Sequence, residues 1–130
     1  MELTREAIMA AAKPRTATFG VDGIDGDFHV RSITGKGLEE WMDQVMKRQD
    51  ANGRLLRVKG MMGWLVVRTL CDASGGLLFL ETEEAEVMSI DANVLDKIFA
   101  ESKKISGLET DIEETEKNLD AGPVVSRGSG

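Results

Sequence analysis

Residues 91–108 constrain the chain more than any other stretch. They read Asp-Ala-Asn-Val-Leu-Asp-Lys-Ile-Phe-Ala-Glu-Ser-Lys-Lys-Ile-Ser-Gly-Leu. Asp91 is a good N-cap, because its carboxylate accepts from the free N–H groups of a first helical turn. Val94, Leu95, Ile98, Phe99, Ser102 and Ile105 then recur at helical spacing on one face. Asp96, Lys97, Glu101, Lys103 and Lys104 are assigned largely to the other face. Lys103 and Lys104 suit the negative end of the helix dipole. Gly107 is placed for a left-handed C-terminal residue, with Leu108 folding back on the last turn. Such a helix has a start, a stop and one apolar face, and that face needs a partner layer.

A chain of 130 residues points to one domain. It can bury roughly two-thirds of its unfolded surface, enough for a modest core without staples. The formal net charge of -7 argues against general nucleic-acid binding, which needs a basic footprint. It favours solubility and leaves room for a basic partner. Cys71 is the one cysteine, so no internal disulfide is available and a reducing compartment is expected. Met-Glu-Leu-Thr-Arg-Glu lacks the basic and apolar regions of a secretory signal. The longest apolar candidate, 61–70, is too short to span a bilayer and contains Gly63 and Arg68. The expected protein is soluble and intracellular.

Thr4 is expected to cap a short helix ending near Lys13, before Pro14, with Leu3 and Ile8 spaced as a hydrophobic staple. Residues 16–21 and 28–33 read as strands, with a turn from Asp22 to Asp27 between them. Leu38, Trp41, Met42, Val45 and Met46 form one helical stripe, ended by turn residues 50–53. Residues 55–71 are apolar on more than one side and read as a buried helix, although Trp64–Val67 also suits a strand. Gly60 and Gly63 weaken that helix, or let another backbone approach closely. A turn and a short extended piece follow to Phe79, then a short acidic helix over 82–89 carrying Val87 and Met88.

After Leu108, Thr110 and Glu113 have capping-box spacing and open a last helix, polar nearly all round. From Glu109 to Asp120 there are six acids and one base. Residues 121–130 show no periodicity and are expected to form a flexible tail. The fold class that follows is α+β: a mainly helical single domain over residues 1–120 with a small antiparallel hairpin, then the tail 121–130.

No catalytic constellation stands out. His29 has no second histidine or cysteine to complete a transition-metal site, and reads as a surface residue. Asp22, Asp25 and Asp27 lack the calcium-loop spacing and read as turn residues. Cys71 reads as a small core residue, because a nucleophile needs an activating base. The glycine pairs fit no phosphate-binding pattern. No enzyme, no metal and no cofactor is expected. Binding signals are softer. Met42, Met46, Met61 and Met62 read first as core filling and second as an adaptable binding face. The acidic segment carrying Ile112, Glu113, Glu114 and Glu116 reads equally as a solvated end or as a recognition segment that orders on a partner. The candidate partner-binding residues are therefore Ile112, Glu113, Glu114, Glu116, Met61 and Met62.

The order of several pieces carries a resemblance. Leu3-Thr-Arg-Glu-Ala-Ile8 opens the chain, and Val30-Arg31-Ser-Ile-Thr-Gly35 leads into the tryptophan-bearing helix. Trp64-Leu-Val-Val-Arg-Thr-Leu-Cys-Asp72 runs into a glycine turn and Leu78-Phe79. Leu95-Asp-Lys-Ile-Phe99, Ile105-Ser-Gly-Leu108 and Glu114-Thr-Glu-Lys-Asn118 follow. Together these resemble the tail assembly chaperones of long-tailed bacteriophages and prophages, over roughly residues 1–118. Many relatives carry Pro-Glu, an aromatic and Gly in the hairpin, where this chain has Ile24-Asp25-Gly26.

The resemblance implies a non-enzymatic protein of the bacterial host cytoplasm. It implies binding of the phage tape-measure protein and help in recruiting tail-tube protein, the latter through a longer, frameshifted form. No nucleic acid or membrane partner is expected, and a homo-oligomer is left open. The alternative is a minor structural tail or tail-completion protein retained in the virion. Glu116-Lys117-Asn118 can be spelled with a −1 slippery heptamer, which places the divergence of a longer product just after Asn118.

Overall fold

The computed structural model describes residues 2–48 and 60–108. Along them run α1 (Arg5–Ala11), β1 (Thr16–Val21), β2 (Ile24–Arg31), α2 (Gly35–Lys47), α3 (Met61–Thr69) and β3 (Leu70–Cys71). A 3-10 turn (Glu81–Glu83) then leads into α4 (Glu84–Val87), and α5 (Ala92–Ser106) closes the described part. The three strands form one antiparallel sheet in the order β1-β2-β3. This is the expected α+β domain, mainly helical around a small sheet. The domain limit at residue 120, the tail 121–130 and the turn 50–53 lie outside the described residues.

The α5 helix forms as its sequence dictates. The Asp91 carboxylate accepts from the N–H groups of Asn93 and Val94 at 3.0 and 3.3 Å. At the other end Gly107 takes φ 71°. Its N–H donates to the Lys104 carbonyl at 3.2 Å, and that of Leu108 to the Lys103 carbonyl at 2.8 Å. Two otherwise orphaned carbonyls are thereby satisfied, the pair of bonds that defines a Schellman ending. Leu95, Ile98 and Ser102 are buried, with Val94, Phe99 and Ile105 half-buried beside them. The helix rests on β1, β2 and α3.

Lys103 departs from the expectation. It is buried, with its ammonium 4.7 Å from the centre of the Phe99 ring. Residues four apart share a helical face, so the lysine stem lies along Phe99 and covers apolar surface.

The α3 helix is buried nearly all round: Met61, Gly63, Trp64, Leu65, Val66, Val67 and Thr69. It enters from Gly60 at φ 88°, a left-handed conformation open to glycine at little cost. Its length from Met61 settles Trp64–Val67 as helix; residues 55–59 lie outside the described part. Gly63 marks a close crossing, because a Cβ there would sit 3.0 Å from Met88 Cγ and 3.5 Å from the Glu84 carbonyl oxygen of α4. One core cluster joins Val30, Val66, Val67, Leu70, Val87, Leu95 and Ile98. A second joins Trp41, Met61, Trp64, Leu65 and Leu108, and Phe99 packs against both.

The hairpin is tighter than the sequence predicts. Val21 already pairs with Ile24, so the loop is Asp22-Gly23 alone, with Gly23 at φ 88°. Asp25, Gly26 and Asp27 belong to β2, where the register shifts between Phe19 and Val21 and Gly26 takes φ 107°. This is a bulge, in which extra residues of one strand oppose fewer of the other. A third strand, Leu70–Cys71, ends the stretch that the sequence predicts as helix; it pairs with His29 and Val30. The helix α1 is capped by Thr4, whose side chain accepts from the Ala7 N–H at 3.1 Å. It buries none of its residues, and Leu3 and Ile8 are both exposed, so no buried staple forms.

Candidate protein-binding surface

The α2 helix begins where Thr34 accepts from the Gly37 N–H at 3.2 Å. Its apolar stripe divides lengthwise. Trp41 is fully buried and Val45 half-buried. The Trp41 ring meets that of Trp64 on α3, with centroids 5.8 Å apart. Leu38, Met42 and Met46 face solvent at 40%, 53% and 69% exposure. These three are spaced i, i+4 and i+8, so they form a continuous ridge. Glu39 and Asp43 are the next positions around the helix, and Asp43 pairs with Lys47 at 3.2 Å.

Several charged groups gather near the start of α2, and Arg68 is ion-paired among them. A cleft of about 90 Å³ there is lined by Arg31, Lys36, Glu40, Arg68 and Glu81, among others. Arg68 lies 4.1 Å above the Trp64 ring, donates to the Trp64 carbonyl at 2.9 Å, and pairs with Glu81 and Glu84 at 3.4 and 3.6 Å. It is a structural cation committed to α3, α4 and the 3-10 turn.

His29 is half-buried, with Nδ1 2.9 Å from the hydroxyl of Thr18, its cross-strand partner. Cys71 is buried as expected. Burial pushes its thiol up, against an opposing pull from Arg31 and with a smaller push from Asp72. Among the described residues no three His, Cys, Asp or Glu side chains are placed to hold a metal ion. None of the described helices is long and apolar enough to cross a membrane.

No protein-family profile and no curated protein sequence matches the chain. Among solved structures, the bacteriophage HK97 tail assembly chaperone aligns with a TM-score of 0.55 and 20% sequence identity. The alignment covers 75% of this chain and 94% of that one. The chain has the tail assembly chaperone fold.

On this chaperone fold the sequence-predicted binding residues separate. Met61 is fully buried in the cluster with Trp41 and Trp64, so it reaches no partner unless the core opens. Met62 is half-buried against the other cluster. Ile112, Glu113, Glu114 and Glu116 lie outside the described residues. The methionines open to solvent on α2 are Met42 and Met46, although their helical spacing points first to core filling. A sequence signal for them exists: the five-residue stripe is wider than one buried seam needs, and Glu39 and Asp43 border its outer half.

Proposed function

We propose that this protein is a non-enzymatic phage tail assembly chaperone, working in the cytoplasm of the bacterial host. It binds the tape-measure protein and helps recruit tail-tube subunits. The observation that carries this reading is the shared fold with the HK97 chaperone over three-quarters of the chain. The exposed Leu38–Met46 ridge on a well-packed body supports it, because such a ridge suits capture of another protein's apolar surface. Co-expression tests the reading. The protein keeps its phage's tape-measure protein soluble and co-purifies with it, yet is absent from purified virions by mass spectrometry. A protein retained in the virion, or one that leaves the tape measure insoluble, overturns it.

Two finer points belong to the same reading. The acidic segment with Ile112, Glu113, Glu114 and Glu116 forms a second contact, so a chain ending at Leu108 folds but binds the tape measure more weakly. The tail-tube protein is reached through a longer product diverging after Asn118. Reading the codons for Glu116–Asn118 checks this: without a slippery heptamer and an open −1 frame, the divergence lies elsewhere.

A further inference from the structure

The ridge on α2 carries information about what covers it. Going round the helix from the core, buried Trp41 and half-buried Val45 are followed by Leu38, Met42 and Met46, and then by Glu39 and Asp43. From Leu38 to Met46 the ridge rises about 12 Å, a little over two turns. Unbranched, polarisable methionines adapt to varied apolar neighbours. The outer margin of the ridge begins with Glu39 and Asp43, and the exposed Lys36 and Lys47 follow further round. Asp43 is engaged by Lys47, while Glu39 has no ion-pair partner among the described residues.

We infer that this face receives an amphipathic helix of a partner protein, whose apolar stripe lies along Leu38, Met42 and Met46 and whose bordering positions are Lys or Arg facing Glu39. The apolar ridge supplies contact area, and the margin selects the partner by charge and sets its lateral position. This surface belongs to the chaperone proposed above and rests on that reading.

Two synthetic helical peptides test it. They share one leucine stripe and differ only in the bordering positions, lysine in one and glutamate in the other. Binding to the full chain is read by fluorescence anisotropy. The lysine peptide binds tighter than its twin by about fivefold, as expected for one exposed ion pair gained against one repulsion. Glu39→Lys reverses that preference. Met42→Lys, at a half-exposed position where the fold tolerates it, weakens both peptides by about tenfold or more through loss of apolar contact. An unchanged melting temperature for each variant confirms that the fold is intact.

Equal binding of the two peptides overturns the inference, as does binding indifferent to Met42→Lys. A second copy as occupant gives a wild-type dimer by sedimentation, a monomer on Met42→Lys, and no peptide binding. Cover by the chain's own residues 109–130 gives a monomer that binds neither peptide. Both of these results also overturn it. The tape-measure co-purification separates the two levels. If wild type fails there, the proposed function falls. If Met42→Lys co-purifies as well as wild type, only this surface does.

Discussion

Thr69 Oγ1 and Ser102 Oγ lie 2.8 Å apart, and neither residue has surface open to water. They form a polar contact inside the apolar seam between α3 and α5. Thr69 Oγ1 also reaches the Leu65 carbonyl at 2.9 Å, so Thr69 keeps a partner if Ser102 is lost. The reverse does not hold. Thr69→Val strands the Ser102 hydroxyl and is expected to cost about 1–3 kcal/mol, whereas Ser102→Ala costs about 0.5–1.5 kcal/mol. The double variant costs less than the sum, since no hydroxyl is left without a partner. Urea melts of the four proteins measure this coupling.

The α5 face ranks its own residues. Ile98 is buried in the first cluster, and Ile98→Ala is expected to cost about 2–5 kcal/mol. Phe99 is half-buried, so Phe99→Ala falls below the value of about 3–5 kcal/mol expected for a fully buried ring, although it touches both clusters. Asp96 is exposed, and Asp96→Ala stays within about 0.5 kcal/mol. Equal urea midpoints for these three variants would mean that the helix is packed on another face.

The crossing of α3 and α4 gives a third expectation. A methyl at residue 63 meets only the flexible, half-exposed Met88 side chain closely, while the Glu84 carbonyl stays at ordinary contact distance. Alanine gains about 1 kcal/mol of helix propensity, which the displaced Met88 offsets, so Gly63→Ala is nearly neutral. In a Met88→Ala background the offset disappears and Gly63→Ala stabilises. Gly63→Val overpacks the crossing and costs about 1–3 kcal/mol or more. Thermal melts of the series decide it, and a large loss for Gly63→Ala alone would show that Met88 cannot move aside.

Acid sensitivity is expected at the turn after β3. Asp72 Oδ1 accepts from the Ser74 hydroxyl at 2.8 Å and from the N–H groups of Gly76 and Ser74, each at 2.9 Å. These bonds, the hydroxyl first, hold its carboxyl below the usual carboxylate range. The folded state therefore favours the ionised form. Its stabilising contribution is complete above the unfolded value of about 4 and disappears as pH falls through the lower folded value. Asp72→Ala is accordingly less stable than wild type at neutral pH. The difference between them shrinks below about pH 4, as followed by urea midpoints. A gap that stays constant into acid would assign the loss to turn geometry rather than to the charge.

Local chemistry made α5 and the beginnings of α1 and α2 legible. Asp91, Thr4 and Thr34 each cap within three residues of themselves, and such bonds depend little on the rest of the fold. The α3 helix was harder, because a helix covered on nearly every side has no apolar period to detect. The pairing of Leu70 with Val30 was hidden because it joins residues far apart in sequence through a strand of two residues. In α2 periodicity marked five apolar residues as one face. It could not say that Trp41 and Val45 find a neighbour within the domain while Met42 and Met46 do not. The candidate surface depends on that distinction, towards which the width and acidic border of the stripe point and which tertiary packing decides.

Leu108 is buried beside Trp41 and Trp64, and its N–H is tied back to Lys103. The point from which the following residues depart is thus anchored in the core next to α2. Under the function proposed above, in which residues 109–120 and the α2 ridge both touch the client, the two contacts start from neighbouring points of one core. Under that proposal, once one contact forms the other becomes an intramolecular event, and the two reinforce each other without any new contact. Two individually weak grips then combine into a long-lived one, while the loss of either releases the cargo quickly. Such a property suits the role proposed above, in which a client is held and later released.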